Sequence, residues 1–122
     1  MGPYSTLLDY DSGRDGQIAV GTITITDSSG NQWIDATGIS AILLRGTFVT
    51  AANVTVTVEQ GREGTGAALV SSTAIATGTS SGQIGHDQGV SIPITYKYFR
   101  IKITVATAPT TNAQLAVKGL AS

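Results

Sequence analysis

The chain has 122 residues, no cysteine and a formal net charge of −1. That length fits one domain whose core needs no covalent staple, and the missing cysteines exclude a disulfide framework and a thiolate metal site. Lys and Arg number 7 against 8 Asp and Glu, so no basic field exists to hold a phosphate backbone, and nucleic acid is not an expected partner.

Charged residues are 12% of the chain, about half the usual share. Hydrophobic residues are 41%, which argues against disorder. The polar surface is therefore mostly Thr, Ser, Gln, Asn and Gly. Burying such a surface against another protein costs less desolvation and side-chain entropy than burying Lys or Glu, which favours an assembly component. With no run of about 18 apolar residues, a membrane span is not expected. Nor is a signal peptide, since no basic segment leads into an apolar one. Met1 to Thr6 fits the loose myristoylation pattern, with Pro3 an unpromising neighbour for the acceptor Gly2.

Residues 1–16 stand apart from the rest of the chain. Tyr4, Leu7, Leu8 and Tyr10 form an apolar cluster ahead of the polar, turn-rich stretch Asp11 to Gly16. The segment reads as an N-terminal arm or lead-in, tied down only if something holds it, and residues 17–122 read as a single β-sandwich domain. Strands then begin. Ile18 and Val20 share one face, Ile23 and Ile25 take the opposite phase, and Gly21 between them marks a β-bulge. Asp27 to Asn31 is a turn by residue type. A short strand over 32–36 carries Trp33, and a longer one over 39–49 places Ile42, Leu44 and Phe48 in phase.

Val54 to Val58 alternates valine with threonine, giving one apolar and one hydroxyl face. A Gly-rich hairpin-type loop over 60–66 comes next. Residues 67–77 are Ala-rich but lack a helix cap and hold Ser71, Ser72 and Thr73 mid-run, so they read as a strand. A long polar loop spans 78–89. Val90, Ile92 and Ile94 share a phase, and Pro93 opposite them, lacking an N–H, puts that strand at a sheet edge. Phe99, Ile101, Ile103 and Val105 face inward against Arg100, Lys102 and Thr104. After a turn over 106–112, Leu115 and Val117 close the sheet. About eight strands at this spacing predict an all-β fold, an antiparallel β-sandwich of jelly-roll or immunoglobulin-like order.

Reactive constellations are sparse. Gly78 to Gly82 fits G-x-S-x-G, but no helix comes after it and the one histidine, His86, lies close by in the same polar loop, so the strand-turn-helix context of a nucleophile elbow is missing. His86-Asp87 reads as a solvated loop pair. The alternating acids of Asp9 to Asp15 resemble a calcium loop, yet Gly13 stands where an oxygen ligand belongs and Val20 where a bidentate Glu belongs. No catalytic residue, cofactor site or metal site is expected, and the chain reads as no enzyme. Aromatic residues are 6%; Trp33 reads as core, while Tyr96 and Tyr98 share a face opposite Phe99 and are the better binding candidates. The candidate partner contacts are Tyr4, Leu7, Leu8, Tyr10, Tyr96 and Tyr98.

Three stretches carry a family likeness: Val54 to Thr65 (VTVTVEQGREGT), Gly89 to Val105 (GVSIPITYKYFRIKITV) and Asn112 to Val117 (NAQLAV). Together they resemble small β-sandwich structural proteins of tailed-bacteriophage virions. There a strand ending near Glu-Gln precedes a Gly-rich turn, and a segment with Pro leads into an aromatic-Arg-Ile strand. A polar turn then opens the last strand. The resemblance covers roughly residues 54–117 and implies a head decoration (cement) protein on the capsid surface of the virion. Its partner is then the major capsid protein or another virion protein, and it is itself a homo-oligomer, most often a trimer. The alternative it implies is a tail- or baseplate-associated module binding a receptor or glycan. Neither reading brings a cofactor or a membrane.

Overall fold

The computed structural model describes residues 4–11, 21–47, 54–65, 69–77, 84, 89–106 and 114–121. Ile18, Val20, Phe48, Ser80, His86 and Asp87 lie outside the described residues. Nine strands are present among those described: β1 (Tyr4–Asp11), β2 (Gly21–Ile25), β3 (Ile34–Asp35), β4 (Ile39–Thr47), β5 (Val54–Gly61), β6 (Leu69–Ala76), β7 (Gly89–Pro93), β8 (Tyr98–Val105) and β9 (Gln114–Ala121). Eight correspond to the strands expected from sequence. The ninth, β1, comes from the segment read as an arm or lead-in; it pairs antiparallel with β9, with a bulge between Thr6 and Leu8.

The strands make two antiparallel sheets packed as a sandwich, ordered β1-β9-β4-β7 and β2-β8-β5-β6, with β3 also on β8. The order has a simple origin. If β2 and β3 are counted as one strand interrupted by a turn, the chain is a single long hairpin. β1 pairs with β9, β2 and β3 with β8, β4 with β7, and β5 with β6. Rolling that hairpin into two layers adds the β4–β9 and β5–β8 seams. This is jelly-roll order, which settles the choice against the immunoglobulin arrangement.

Alternation builds the core. In the five-stranded sheet, Ile25, Ile101 and Val58 form one inward cross-strand row, and Ile23, Ile103, Val56 and Ile75 the next. In the other sheet Leu8, Val117, Leu44 and Val90 make a row. Phe99, Ile101, Ile103, Val56, Ile42, Leu44 and Val117 are wholly excluded from solvent. Pro93 sits on β7, an edge strand, as the missing N–H requires.

Two interruptions have visible causes. Between Ile25 and Ile34 the chain leaves the sheet through a turn in which Asp27 Oδ1 accepts the N–H groups of Ser29 and Asn31, each at 2.9 Å, while Gly30 takes φ +85°. The inward position Gln60 serves as an inter-sheet clamp. Its amide donates to Pro93 O at 3.1 Å and accepts from Thr95 N–H at 3.0 Å, satisfying main chain where β7 ends.

Ile101 sits mid-way along β8 with strands on both sides. Ile101→Ala is expected to cost about 2–5 kcal/mol of unfolding free energy. Thr104→Ala, three residues on and outward, loses one exposed hydroxyl bond to Thr22 and is expected to cost under about 1 kcal/mol. Urea titration of the two variants checks the contrast.

Candidate interaction surface

The outward phase of the five-stranded sheet is where the polar chemistry collects. Thr22, Thr104 and Thr55 form one cross-strand row, and Thr24, Lys102 and Thr57 the next. Arg100 and Glu59 are paired beyond them, then Asp35, Tyr98 and Gly61. β6 extends the face with Ala76, Ala74 and Ser72. The result is a surface of hydroxyls and methyls whose first row, Thr22, Thr104 and Thr55, is uncharged and whose later rows carry Lys102, Arg100, Glu59 and Asp35.

That charge is internally balanced. Arg100 Nε donates to Glu59 Oε1 at 2.6 Å, and Lys102 Nζ lies 3.5 Å from the same oxygen. The Arg100 guanidinium also stacks 4.5 Å from the centre of the Trp33 ring, its neighbour across the strand gap where β3 rejoins the sheet. Trp33, Arg100 and Glu59 thus form a continuous stack with Lys102 on its far side. Although Glu59 points outward, these neighbours bury it to 8% exposure. A charge-assisted bond in partial shelter is worth more than an open surface pair.

Tyr96 and Tyr98 are half-buried at the same end. Arg62 lies over the Tyr96 ring at 5.8 Å and Lys97 over the Tyr98 ring at 5.6 Å. Tyr98 lies opposite Gly61 and against Gly64, where a Cβ would come within 3.3 Å of its ring. Glycine in this loop therefore makes room for an aromatic ring.

The N-terminal candidates fare differently. Leu8 and Tyr10 are 2% and 5% exposed. They belong to the protein's own core, and the reading of these two as partner contacts is corrected accordingly. Their strand pairs with β9, so alternation turns them inward. Leu7, displaced by the bulge, packs over Gly119. Tyr4 opens β1 opposite Leu120, and its side chain lies outside the described residues. Asp9 and Asp11 are strand residues opposite Ala116 and Gln114, and the rest of the stretch weighed as a calcium loop lies outside the described residues. A cleft of about 610 Å³ opens between β1 and β2, lined among others by Leu8, Tyr10, Ile23 and Asp27.

Among the described residues no three His, Asp or Glu side chains gather as a metal site, and no helix is long and apolar enough to cross a membrane. Sequence reasoning missed Glu59, Arg100 and Lys102. The signal was present as alternate outward charges on neighbouring strands, but the pairing register that joins them is not visible in one dimension. Comparison with protein-family models, curated proteins and solved structures finds no match to this chain.

Two exposed carboxyls are tuned by turns. Main-chain hydrogen bonding from Asn31 holds Asp27 below the ordinary 3.8, and the Thr37 hydroxyl and N–H hold Asp35 below it likewise. Both folded values are depressed, so the stability these groups contribute is complete above the unfolded pKa. It is lost as pH falls through the lower folded value. Carboxyl chemical-shift titration is expected to give midpoints under 3.8 for both residues.

Trp33 is the only tryptophan, so its emission reports on the stack. Arg100→Ala uncovers one face of the ring and leaves the sheltered Glu59 with Lys102 alone. The expected outcome is a red-shifted emission maximum and a loss of about 1–3 kcal/mol in denaturant unfolding.

Proposed function

We propose that this protein is a non-enzymatic structural component of a tailed-phage virion, a decoration protein that binds the outside of the capsid and bridges neighbouring capsid subunits. The observation that carries the reading is the outer face of the five-stranded sheet. One all-threonine row, Thr22, Thr104 and Thr55, crosses β2, β8 and β5, the next has Lys102 between Thr24 and Thr57, and the cations Arg100 and Lys102 are already paired with Glu59. A face of short hydroxyl side chains is buried against another protein at low cost in side-chain entropy. The likeness of residues 54–117 to virion β-sandwich proteins supports the same reading. Affinity then comes from many individually weak contacts repeated by the symmetry of the shell, and a homo-oligomeric state, a trimer by that likeness, multiplies them further.

A second reading, a tail- or baseplate-associated module holding a glycan, draws on the grouping of Trp33, Tyr96 and Tyr98 at one end of the sandwich. Each of these rings has one of the protein's own cations over it, which competes with a sugar for that ring.

Co-sedimentation with empty shells of the cognate phage tests the proposal. The wild-type chain is expected to pellet with shells. Thr55→Glu, which places a charge in the threonine row far from the core, is expected to lower the bound fraction at least roughly tenfold with unchanged circular dichroism. Absence of shell binding by the wild-type chain, alongside glycan-array binding lost in Trp33→Ala, would replace the capsid reading with the second one.

A further inference from the structure

The two outer faces of the sandwich differ in kind. On β8 and β5 the outward positions hold threonine and paired charge. On β4 and β9, the central strands of the other sheet, Ala41, Leu43, Ala116 and Leu120 take the outward phase, together with Arg45 and Lys118. Register sets these residues in rows. Leu120, Ala41 and Pro93 share one row. Thr6, Lys118, Leu43 and Ser91 make the next, and Asp9, Ala116, Arg45 and Gly89 the third. The Leu43 and Arg45 side chains lie over Gly89, where a Cβ would meet Leu43 Cδ1 at 3.0 Å and Arg45 Cγ at 3.1 Å. The leucines and alanines of this face are half-buried, and Arg45 and Asp9 are exposed. A leucine on the outward phase has no core of its own chain to enter, so covering it is favourable.

The charge on this face is arranged differently from the cluster around Glu59. Among the described residues, no carboxylate lies within ion-pair distance of Arg45 or Lys118. Asp9 is on the same face, but it stands on the edge strand β1 with Ala116 between it and Arg45. The face thus holds a cation and an acid in one row, one strand apart from each other.

We propose that the outer face of the four-stranded sheet is a homotypic docking surface, on which a second copy of this chain stacks sheet to sheet about a two-fold axis running along the strands between β9 and β4. In that arrangement β9 of one copy lies over β4 of the other, β1 lies over β7, and each row meets itself. Large side chains meet small ones. Leu120 of one copy rests on Ala41 of the other, and Arg45 of one enters over Ala116 of the other. From there Arg45 is offset by a single strand spacing, about 4.8 Å, from Asp9 of the other copy. Two Arg45–Asp9 pairs form, one on each side of the axis, as an isologous contact requires. Lys118 lays its methylenes along Leu43 and keeps its ammonium in water. A second copy is the occupant because the face itself supplies both the cation and the acid, at positions that the two-fold brings together. Four strands and their rows cover roughly 500 Å² per copy. That is the low end for a specific interface, so the dimer is weak and concentration-dependent. The inference stands independently of the capsid reading, which uses the opposite face.

The test is sedimentation velocity over a concentration series. Wild-type protein is expected to move from monomer to dimer, and the dimer to weaken as salt rises. Arg45→Glu and Asp9→Arg each set like charges across the axis, and Leu43→Lys sets two cations face to face. Each is expected to raise the dissociation constant roughly tenfold or more with an unchanged circular dichroism spectrum. The double variant Arg45→Glu, Asp9→Arg exchanges the signs and is expected to recover most of the wild-type affinity. Thr55→Glu, on the opposite face, is expected to dimerise as wild type does, which separates this inference from shell binding. Should one variant fail to fold, those that fold decide, since each alone must weaken the dimer. The inference is overturned by a wild-type chain still monomeric at roughly 1 mM, or by self-association that survives the single substitutions. It is equally overturned by a folded double variant no tighter than its parents, and by a closed trimer in place of the dimer.

Discussion

Two apolar sheet faces pressed together hold this molecule, and the rest is arranged around the four strands that bury them most completely. β8 and β5 are central in one sheet, β9 and β4 in the other. On β8 every second side chain from Phe99 to Val105 is sealed from water, and on β5 every second one from Val54 to Val58. Burying a branched aliphatic side chain contributes roughly 1.5–3 kcal/mol, so these few positions dominate the favourable side of folding. Their partners lie far away in sequence: the outermost hairpin pair joins β1 to β9 across nearly the whole chain. Such non-local closure makes a jelly roll slow to fold compared with a helical bundle.

The same constraint decides where polar groups go. A position of inward phase tolerates a polar side chain only if its hydrogen bonds are met inside. Gln60 satisfies this by gripping both Pro93 O and Thr95 N–H on the facing sheet. Outward phase is free of that demand, and there Glu59, Arg100 and Lys102 find one another across the β5–β8 seam. Trp33 completes the group because the Asp27 turn returns the chain to the sheet at the point where Arg100 stands opposite. A single register thus sets both the dry core and the charged cluster on the other side of the same strands.

Legibility in the sequence tracks strand position. The segments with the cleanest alternation, 98–105, 54–58 and the strands around Leu44 and Val117, are the central four. A central strand has neighbours on both sides, so its inward face must be apolar throughout. The segments that read poorly are edges. β6 looks half-helical in sequence because only Ile75 of its apolar residues is buried. β1 looks like an arm because its bulge breaks the alternation between Thr6 and Leu8, and with the phase lost Leu8 and Tyr10 do not stand out as core. Pro93 is the exception, an edge that announces itself by removing a donor. The choice between jelly-roll and immunoglobulin order depends on which strands cross between sheets, and no local pattern encodes that. The Arg100–Glu59 pair is hidden for a related reason: its partners are 41 residues apart.

The distribution of charge decides which surfaces of the fold are cheap to desolvate. A soluble β-sandwich ordinarily protects faces and edges alike with lysine and glutamate. Here charge is scarce, and where it occurs on the five-stranded sheet it is largely cancelled by its neighbours. That leaves this sheet two kinds of surface able to meet protein at low desolvation cost: the threonine rows and the uncharged margin of β6, which a bulge at Val70 interrupts. They differ in what they can specify. A hydroxyl face offers side-chain contacts that many partners can match, so its specificity must come from shape and from repetition over a symmetric surface. A strand edge offers main-chain bonds at fixed spacing, and its specificity lies in register alone. The two lie at right angles on one sheet, the face looking outward and the edge sideways.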